Sequence, residues 1–417
     1  MEGFKRYIKA RDEGGERMKY NLKDLEYWSD KIEYIAKDLG LNYYDQEFEI
    51  INYNEMLCYE AYLGMPSRYP HWSFGKNYDK LRTLYQHNIM GLPYEIVINS
   101  NPCIAYLMKD NPLPLQILTM AHVYGHNDFF KNNRMFKENT EGEKVLDNFK
   151  NNSKLIRKYA DDFNIGRKKV ERVLDIAHSI KFQEELITYI MNSKRLEKWQ
   201  RDILRIVKEE SIYFISQIET KIINEGWASF WHYEILKLLD LPQDYFIDII
   251  RIHNSVVAPI VGKLNPYNIG FNLFKSIEKK YGRYKIFEAR EIERDESFIR
   301  KYLDEELCID LNLYKYGFYD GENIVEGTLK DIGFEGMKEI LYLNCGINTI
   351  PNIIIKDDNN NLILKQQRDI RELNIEYAKE TLKNIVEILN KKVILETTEN
   401  GENILIMCNL NKEIVYK

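Results

Sequence analysis

Two histidines with a spacing of four residues are the groups in this sequence most able to bind a metal ion. His122 and His126 lie in the apolar stretch LTMAHVYGHNDFF, residues 118–130, and account for two of the seven histidines in the 417-residue chain. Four residues is slightly more than one helical turn, so both imidazoles would project from one helix face and could share one ion. The structural alternative is a helix whose two histidines hydrogen-bond to buried carbonyl groups.

A second motif, NEGWA at residues 224–228, supplies a carboxylate. Glu225 lies among apolar neighbours, and a buried carboxylate is costly unless it is paired, hydrogen-bonded or bound to a cation. Gly226 and Ala228 have almost no side chain, which predicts that another helix approaches closely here. His232 follows Glu225 by seven residues, about two helical turns, and therefore lies on nearly the same face. We expect His232 to hydrogen-bond to a metal ligand or to act as a fourth ligand.

The segments before the first motif predict the elements that would position it. Residues 94–100, YEIVINS, form a β-branched run that predicts a strand ended by Asn101 and Pro102. The prolines in NPLP, residues 111–114, suit the start of a helix that continues through the apolar run 115–123. The expected local order is strand, short connection and helix.

Periodicity over most of the chain predicts a mainly α fold with a small β element. Apolar residues recur at helical spacing in residues 22–39 and through most of the chain from 131 to roughly 330. We therefore expect a helical domain at residues 1–335.

The C-terminal residues, from about 346 onward, show a mixed pattern of strands and one helix instead of continuous helical periodicity. Strands are predicted within residues 350–366 and 392–416, on either side of an amphipathic helix at 371–389. This order predicts a separate C-terminal α+β module of ββαββ type at residues 346–417.

Composition and missing motifs exclude several classes of function. The chain has 59 Lys and Arg against 65 Asp and Glu, so its net charge of -6 gives no broad positive field for nucleic acid. Neither a phosphate-binding GxxxxGK[ST] loop nor a GxSxG nucleophile elbow occurs. No apolar run is long enough to span a membrane, and residues 1–20 lack the apolar centre of a signal peptide. We expect a cytoplasmic protein with no membrane span and no nucleic-acid partner.

The order HxxxH followed by NEGWA resembles the thermolysin-like zinc peptidases, the gluzincins. The resemblance implies a zincin-like helical body in which His122, His126 and Glu225 hold zinc. Two imidazoles and a carboxylate also suit nonhaem iron, so the donor set predicts zinc or iron. This chain has Val123 where those enzymes carry the glutamate that takes a proton from the zinc-bound water. Asp128 would point elsewhere on an ideal helix, so another segment must supply any base.

A second resemblance, to the SpoVR family or stage V sporulation protein R group, extends over nearly the whole chain. Its motifs occur in the family order: YPHWSFGK at 69–76, YEIVINSNP at 94–102, AHVYGH at 121–126, DFFKNN at 128–133, NEGWA at 224–228 and NPYNIGF at 265–271. The resemblance implies a cytoplasmic protein of spore formers that is needed to build the peptidoglycan cortex. It does not imply a particular biochemical activity.

Two functions follow from these patterns. The first is a metal-dependent hydrolase of peptide or amide bonds in a peptide or cell-wall precursor, with His232, His253 and Tyr267 as candidate catalytic residues. Substrate binding or oxyanion stabilisation by His253 and Tyr267 competes with a purely structural role. The second is a noncatalytic assembly or regulatory protein that docks a protein partner through its C-terminal module. Val123 favours the second function, and the intact ligand pattern favours the first.

Three other segments carry weaker predictions. Residues 64–76 are rich in proline, glycine and aromatics and predict an ordered surface loop, with His71 and Trp72 as a possible cleft rim. Residues 131–134 are basic and polar, which suits either an anion site or a solvated helix end. His178 lies in a charged helix and is expected to be solvated.

Overall fold

The structure is a computed structural model, and it describes residues 8–10, 20–87, 94–260, 264–313, 317–320, 323–326, 329–358, 361–367 and 371–416. Most of the segment predicted to lack a signal peptide, residues 1–7 and 11–19, lies outside the described residues. The chain forms two compact units. The first unit comprises Met1–Pro66, Ser73–Asp147 and Ser216–Gly346, and the second comprises Ser67–Trp72, Asn148–Ile215 and Ile347–Lys417. The domain boundaries predicted from the sequence, after residue 335 and before 346, stay predictions.

Helices make up most of the described chain. They are α1 (Leu22–Asp38), α2 (Tyr53–Ala61), α3 (Trp72–Gln86), α4 (Leu113–Asn132), α5 (Arg134–Asn139), α6 (Val145–Asp161), α7 (Arg167–Ser179), α8 (Glu184–Met191), α9 (Lys198–Glu219), α10 (Lys221–Leu238), α11 (Gln243–Val256), α12 (Pro266–Tyr281), α13 (Arg283–Ile292), α14 (Asp295–Tyr302), α15 (Glu305–Asp310), α16 (Leu329–Leu343) and α17 (Ile375–Leu389). Within the part of the chain that is described, no helix has both the length and the apolar character needed to cross a bilayer.

The strands of the described residues form three small sheets. They are β1 (Ile8–Ala10), β2 (Gln46–Ile51), β3 (Glu95–Ile98), β4 (Cys103–Met108), β5 (Gly317–Asp320), β6 (Asn323–Glu326), β7 (Ile353–Asp358), β8 (Asn361–Gln366), β9 (Lys392–Glu399), β10 (Glu402–Cys408) and β11 (Ile414–Tyr416). A mainly helical fold with small sheets and a strand-rich C-terminal region is therefore confirmed, whereas the zincin-like character of the helical body stays a prediction.

The first sheet has the order β1-β2-β4-β3, with β3 at its edge. Strands β1, β2 and β4 are parallel, and β3 runs antiparallel to β4, with Glu95 opposite Leu107. The strand predicted at 94–100 is confirmed as β3. The direct connection from this strand to the helix was wrong, because β4 lies between them. Its apolar run CIAYLM lacks the alternation that marks a half-buried strand.

Helix α4 is the centre of the first unit. Its side chains are buried on all sides from Pro114 to Phe130, as expected for a helix enclosed by other elements. Enclosure requires that its polar side chains find partners. The Gln116 amide donates to the Met108 carbonyl at 2.8 Å, and the Asn127 amide donates to the Tyr44 carbonyl at 2.9 Å.

Small residues bring α4, α10 and α12 unusually close together. A Cβ at Gly125 of α4 would stand 2.6 Å from the Cα of Ala228 on α10. A Cβ at Gly226 of α10 would stand 2.3 Å from the Cα of Gly270 on α12. Both distances are shorter than atoms tolerate, so only glycine allows these helix crossings. The close approach predicted from Gly226 and Ala228 is confirmed.

The C-terminal sheet belongs to the second unit. Its order is β11-β10-β9-β8-β7, with β8 and β9 parallel and the other pairs antiparallel. Helix α17 supplies the crossover between β8 and β9, as parallel neighbours require. The predicted order ββαββ is extended by the short strand β11.

The predictions for residues 64–76 and for His178 need correction. Helix α3 begins at Trp72, so the last part of the expected loop is helical. Tyr69 and His71 are buried rather than placed on a rim, although Trp72 is 53% exposed. The Tyr69 hydroxyl and His178 Nε2 lie 2.7 Å apart, so His178 is hydrogen-bonded to the chain and not simply solvated. Local proline and glycine density could not reveal this tertiary contact.

Candidate metal centre

Helices α4 and α10 bring the predicted metal ligands together. His122 and His126 project from one face of α4, and their ring centroids are 4.6 Å apart. Their Nε2 atoms lie 3.6 and 3.5 Å from Oε2 of Glu225 on α10. These distances are longer than ordinary hydrogen bonds. The three groups therefore face one common space, with room for an ion among them.

The donor atoms fit a transition-metal ion. His122 Nε2 and Glu225 Oε2 are buried, and neither has a hydrogen-bond partner among the described residues. Buried polar atoms nearly always have partners, so unpaired atoms at one place call for an explanation. Two imidazole nitrogens and a carboxylate oxygen are the set that zinc or nonhaem iron accepts. The residues present thus match the ion that the sequence predicts.

Glu95 on the edge strand β3 is a member of the candidate site that sequence reasoning missed. Its Oε1 lies 3.9 Å from His122 Nε2, and Glu95, His122 and His126 each offer a ligand atom within 4.8 Å of the others. The available signal was an acidic residue in an otherwise apolar strand within a family motif. Sequence alone could not pair it with α4, because that contact depends on how the sheet packs on the helix.

The charge state of the cluster follows from burial and mutual contact. Burial raises the pKa of Glu95 to about 7; His126 opposes this shift and Glu225 adds to it. Burial lowers the pKa of His122 to about 4. Burial alone would raise the pKa of Glu225, but both histidines hold it well below its usual range. The contact with Glu225 likewise outweighs burial and raises the pKa of His126. The cluster favours positive charge at its centre.

The second ring nitrogen of each predicted histidine ligand has its own partner. His126 Nδ1 lies 3.0 Å from Oδ1 of Asn224, which can only accept, so this nitrogen carries the proton. His122 Nδ1 lies 2.9 Å from Nδ1 of His232. Such outer partners hold metal-binding imidazoles in the orientation that presents the other nitrogen.

His232 and His253 belong to this outer layer. His232 Nε2 lies 2.7 Å from Nδ1 of His253 on α11, so both nitrogens of His232 are engaged outside the common space. Of the two roles predicted for His232, this geometry supports hydrogen bonding to a ligand. Among the described residues, the hydrogen bonds that connect His253 to the cluster run through His232. Burial lowers the pKa of His253 to about 4 and that of His232 well below its usual value.

Tyr267, at the start of α12, lies at the common space itself. Its ring stacks on His122 with centroids 6.0 Å apart and an interplanar angle of 27°. Burial and the carboxylates of Glu225 and Glu95 raise the pKa of Tyr267 well above its usual value, so the hydroxyl stays protonated and can donate.

Two neighbouring segments of α4 take structural roles. Asp128 points away from the cluster and accepts from Trp227 Nε1 at 2.8 Å and from the Asn42 amide at 2.7 Å. The anion site considered for residues 131–134 loses several of its donors to contacts within the chain. Lys131 donates to the Tyr43 carbonyl, and the Asn133 amide donates to carbonyls of α13 and its C-terminal end. These donors are occupied by the chain because the end of α4 is packed rather than solvated.

The fold and the cluster define a mainly helical protein with a buried histidine and glutamate site. The sequence model described as SpoVR like protein matches residues 19–185 and 181–350. The chain therefore belongs to the SpoVR-like family, which is sporulation-related by name. It is 30% identical to the uncharacterized protein YcgB of Escherichia coli (strain K12) over 423 residues, covering 79% of this chain and 82% of the relative. No solved structure matches the chain. The likeness to gluzincins stays a prediction.

Proposed function

We propose that the protein is a metal-dependent hydrolase of peptide or amide bonds. The observation that carries this proposal is the approach of His122 Nε2 and His126 Nε2 to a single oxygen of Glu225, with buried donor atoms left unpaired. These residues would hold the ion, zinc or iron by their donor chemistry. When bound, such an ion acts as a Lewis acid and lowers the pKa of a coordinated water toward neutrality.

Glu95 is the group placed to accept the proton in this reaction. The usual glutamate is absent, because Val123 occupies its position and is fully buried. The Glu95 carboxylate reaches the same space from β3, with its Oε1 3.9 Å from His122 Nε2. A base need only lie within reach of the proton it takes, so it can come from a strand as well as from the ligand helix.

Tyr267 is placed to bind the substrate. Its hydroxyl is protonated and lies beside Glu225 and Glu95, where it can donate to an oxygen that gains charge during the reaction. His232 and His253 do not face that space, so we assign them to holding His122 rather than to contact with substrate.

The substrate we propose is a peptide-containing cell-wall precursor, on which the protein would act in the cytoplasm during formation of the spore cortex. Membership in a sporulation-related family supports this process. The buried donor set supports the reaction type, since metal-assisted attack by water suits amide bonds.

Elemental analysis tests the metal site. Wild-type protein purified without added metal should carry about one transition-metal ion per chain. Glu225→Gln keeps the side-chain shape but removes the charge, so it should lose most of the metal. Glu209→Gln, an exposed carboxylate on α9, is the matched control and should keep it. A folded wild type without metal would refute the proposal.

A turnover assay tests the reaction. Muramyl peptides incubated with the metal-loaded protein should gain one water and release a new amine, as followed by mass spectrometry. Glu95→Gln should keep the metal but lose turnover, because the proton acceptor is gone. A metal-loaded wild type that cleaves none of these peptides would count against hydrolysis of precursors.

The second candidate is a noncatalytic assembly or regulatory role. Val123 favours it, and so do exposed apolar side chains on and beside the last two strands, Leu405, Leu410, Val415 and Tyr416. These side chains suit a protein partner of the C-terminal region. Leu410→Ser with Val415→Ser should then impair sporulation without changing metal content, whereas normal sporulation would remove this candidate.

A further inference from the structure

Three imidazoles form a continuous hydrogen-bonded chain that starts at a predicted metal ligand. His122 Nδ1 contacts His232 Nδ1 at 2.9 Å, and His232 Nε2 contacts His253 Nδ1 at 2.7 Å. The three residues come from α4, α10 and α11. His232 is 0% exposed and His253 is 3% exposed.

The two outer imidazoles lie in buried surroundings, and those of His253 are largely aromatic. His253 stacks on Tyr233 with centroids 4.9 Å apart and packs against Phe271. A neutral imidazole has one donor and one acceptor nitrogen, so the hydrogen bonds that join the three imidazoles can run in only two directions.

Metal binding by His122 selects one direction. A metal ion takes the lone pair of Nε2, so the proton of His122 must sit on Nδ1, and this nitrogen must donate to His232 Nδ1. His232 then carries its proton on Nε2 and donates to His253 Nδ1. His253 in turn carries its proton on Nε2. Each ring keeps one proton, so no net charge enters the buried chain.

We infer that His232 and His253 are positioning residues that hold His122 in the tautomer and orientation presenting Nε2 to a metal ion. This inference depends on the metal site of the proposed function but not on hydrolysis. It resembles the arrangement at His126, where Asn224 is the acceptor. The difference is that His122 is held through two further residues. A substitution at His253 should therefore alter the orientation of His122 although the two residues share no hydrogen bond.

Nitrogen NMR of the zinc-loaded protein with 15N-labelled histidine tests the direction of the chain. The expected pattern is a proton on Nδ1 of His122, on Nε2 of His232 and on Nε2 of His253. A proton on Nδ1 of either His232 or His253 would overturn the inference, because the chain would then run toward His122.

Zinc affinity of matched variants tests the consequence. His232→Leu removes the acceptor and should weaken zinc binding about 10- to 100-fold, the range typical of lost outer partners. His232→Gln offers an oxygen that can accept from His122, so it should recover a large part of that loss. His253→Leu should weaken binding less than His232→Leu, and His253→Gln should recover it.

The outcomes separate the inference from the proposed function. If the wild type binds zinc and both leucine variants bind it equally well, the inference is overturned but the proposed metal site is not. Equal weakening by leucine and glutamine at position 232, with unfolding midpoints matched in the metal-free variants, also overturns it, because shape rather than hydrogen bonding would then matter. A wild type that binds no zinc or iron overturns both.

Discussion

The protein contains two buried histidine clusters that resemble each other in the distance between their imidazole rings but differ in chemistry. The His122 cluster of the first unit comprises His122, His126, Glu225 and Glu95. The His71 cluster of the second unit comprises His71, His178, Tyr69 and Asp175. The imidazole centroids are 4.6 Å apart in the first cluster and 4.7 Å apart in the second.

The two clusters differ in where their ring nitrogens point and in the charge around them. In the His71 cluster, His178 Nε2 pairs with the Tyr69 hydroxyl at 2.7 Å, and His71 Nε2 lies 3.3 Å from Asp175. Asp175 also accepts from Trp72 Nε1 at 2.7 Å. Burial lowers the pKa of both His71 and His178, and the positive charge of Arg68 adds to this lowering, which disfavours an added cation. In the His122 cluster two carboxylates favour a cation.

Proximity of histidines is therefore a poor indicator of a metal site. What distinguishes the His122 cluster is the convergence of two imidazole nitrogens on a single carboxylate oxygen, Oε2 of Glu225. Matched substitutions in the two clusters test this difference.

The largest difference is expected in metal affinity. His126→Ala should lower zinc affinity by more than the roughly 10- to 100-fold cost of losing an outer partner, because a ligand is removed. His178→Ala should leave the affinity unchanged. Competition with a chromophoric chelator measures both. Similar losses in the two variants would show that the contrast between the clusters is wrong.

The next effect is on stability. Arg68 and Glu210 form a buried ion pair at 2.8 Å beside the His71 cluster. Arg68→Met leaves the Glu210 carboxylate buried without its cation, so the free energy of unfolding should fall by about 3–5 kcal/mol. Zinc affinity should not change. Urea unfolding and zinc titration test the pair of effects, and lost zinc binding in a folded variant would contradict the assignment.

Substitution of Glu95 is expected to raise, not lower, the free energy of unfolding of the metal-free protein. Burial raises its pKa from 4.5 to about 7, so the folded state binds a proton that the unfolded state has released between these values. Wild-type stability should therefore fall as pH rises from about 4.5 to 7. Glu95→Gln should remove this fall and be more stable by about 1–3 kcal/mol at pH 8, with no gain at pH 4. Urea unfolding at both pH values, with chelator present, decides this.

The smallest effects are expected from the hydrogen-bond partners of the imidazoles. Tyr69→Phe removes the hydroxyl that pairs with His178 and should lower the free energy of unfolding by about 1 kcal/mol without changing zinc affinity. Asn224→Leu removes the acceptor of His126 Nδ1 and should weaken zinc binding about 10-fold. Zinc titration of both variants provides the measurement. If zinc affinity fell in Tyr69→Phe and not in Asn224→Leu, the assignment of the metal site to the His122 cluster would be wrong.

Several elements could be predicted from local patterns. Periodicity located α1 closely, and the NPLP segment marked the start of α4. The small residues Gly226 and Ala228 indicated a close helix crossing, which the contacts with Gly270 and Gly125 confirm. These predictions succeeded because helix starts, helix faces and tight crossings leave signals within a few neighbouring residues.

Other features left no such signal. Strand β4 was missed because a buried strand shows no alternation, and α3 was hidden by the proline and glycine around its start. Glu95 and His253 were not expected to reach His122, because their contacts join segments far apart in the chain. Burial of His71 and His178 likewise depends on contacts of the 67–72 segment with α7.

The amino-acid sequence by itself determined that His122 and His126 share a helix face and that Glu225 needs a partner, because helical geometry and the cost of burying charge are local properties. Only the tertiary structure decided which atoms meet. The packing of β3, α4, α10, α11 and α12 fixes the distances between donor atoms, and that packing depends on the sum of many contacts between distant residues rather than on any motif.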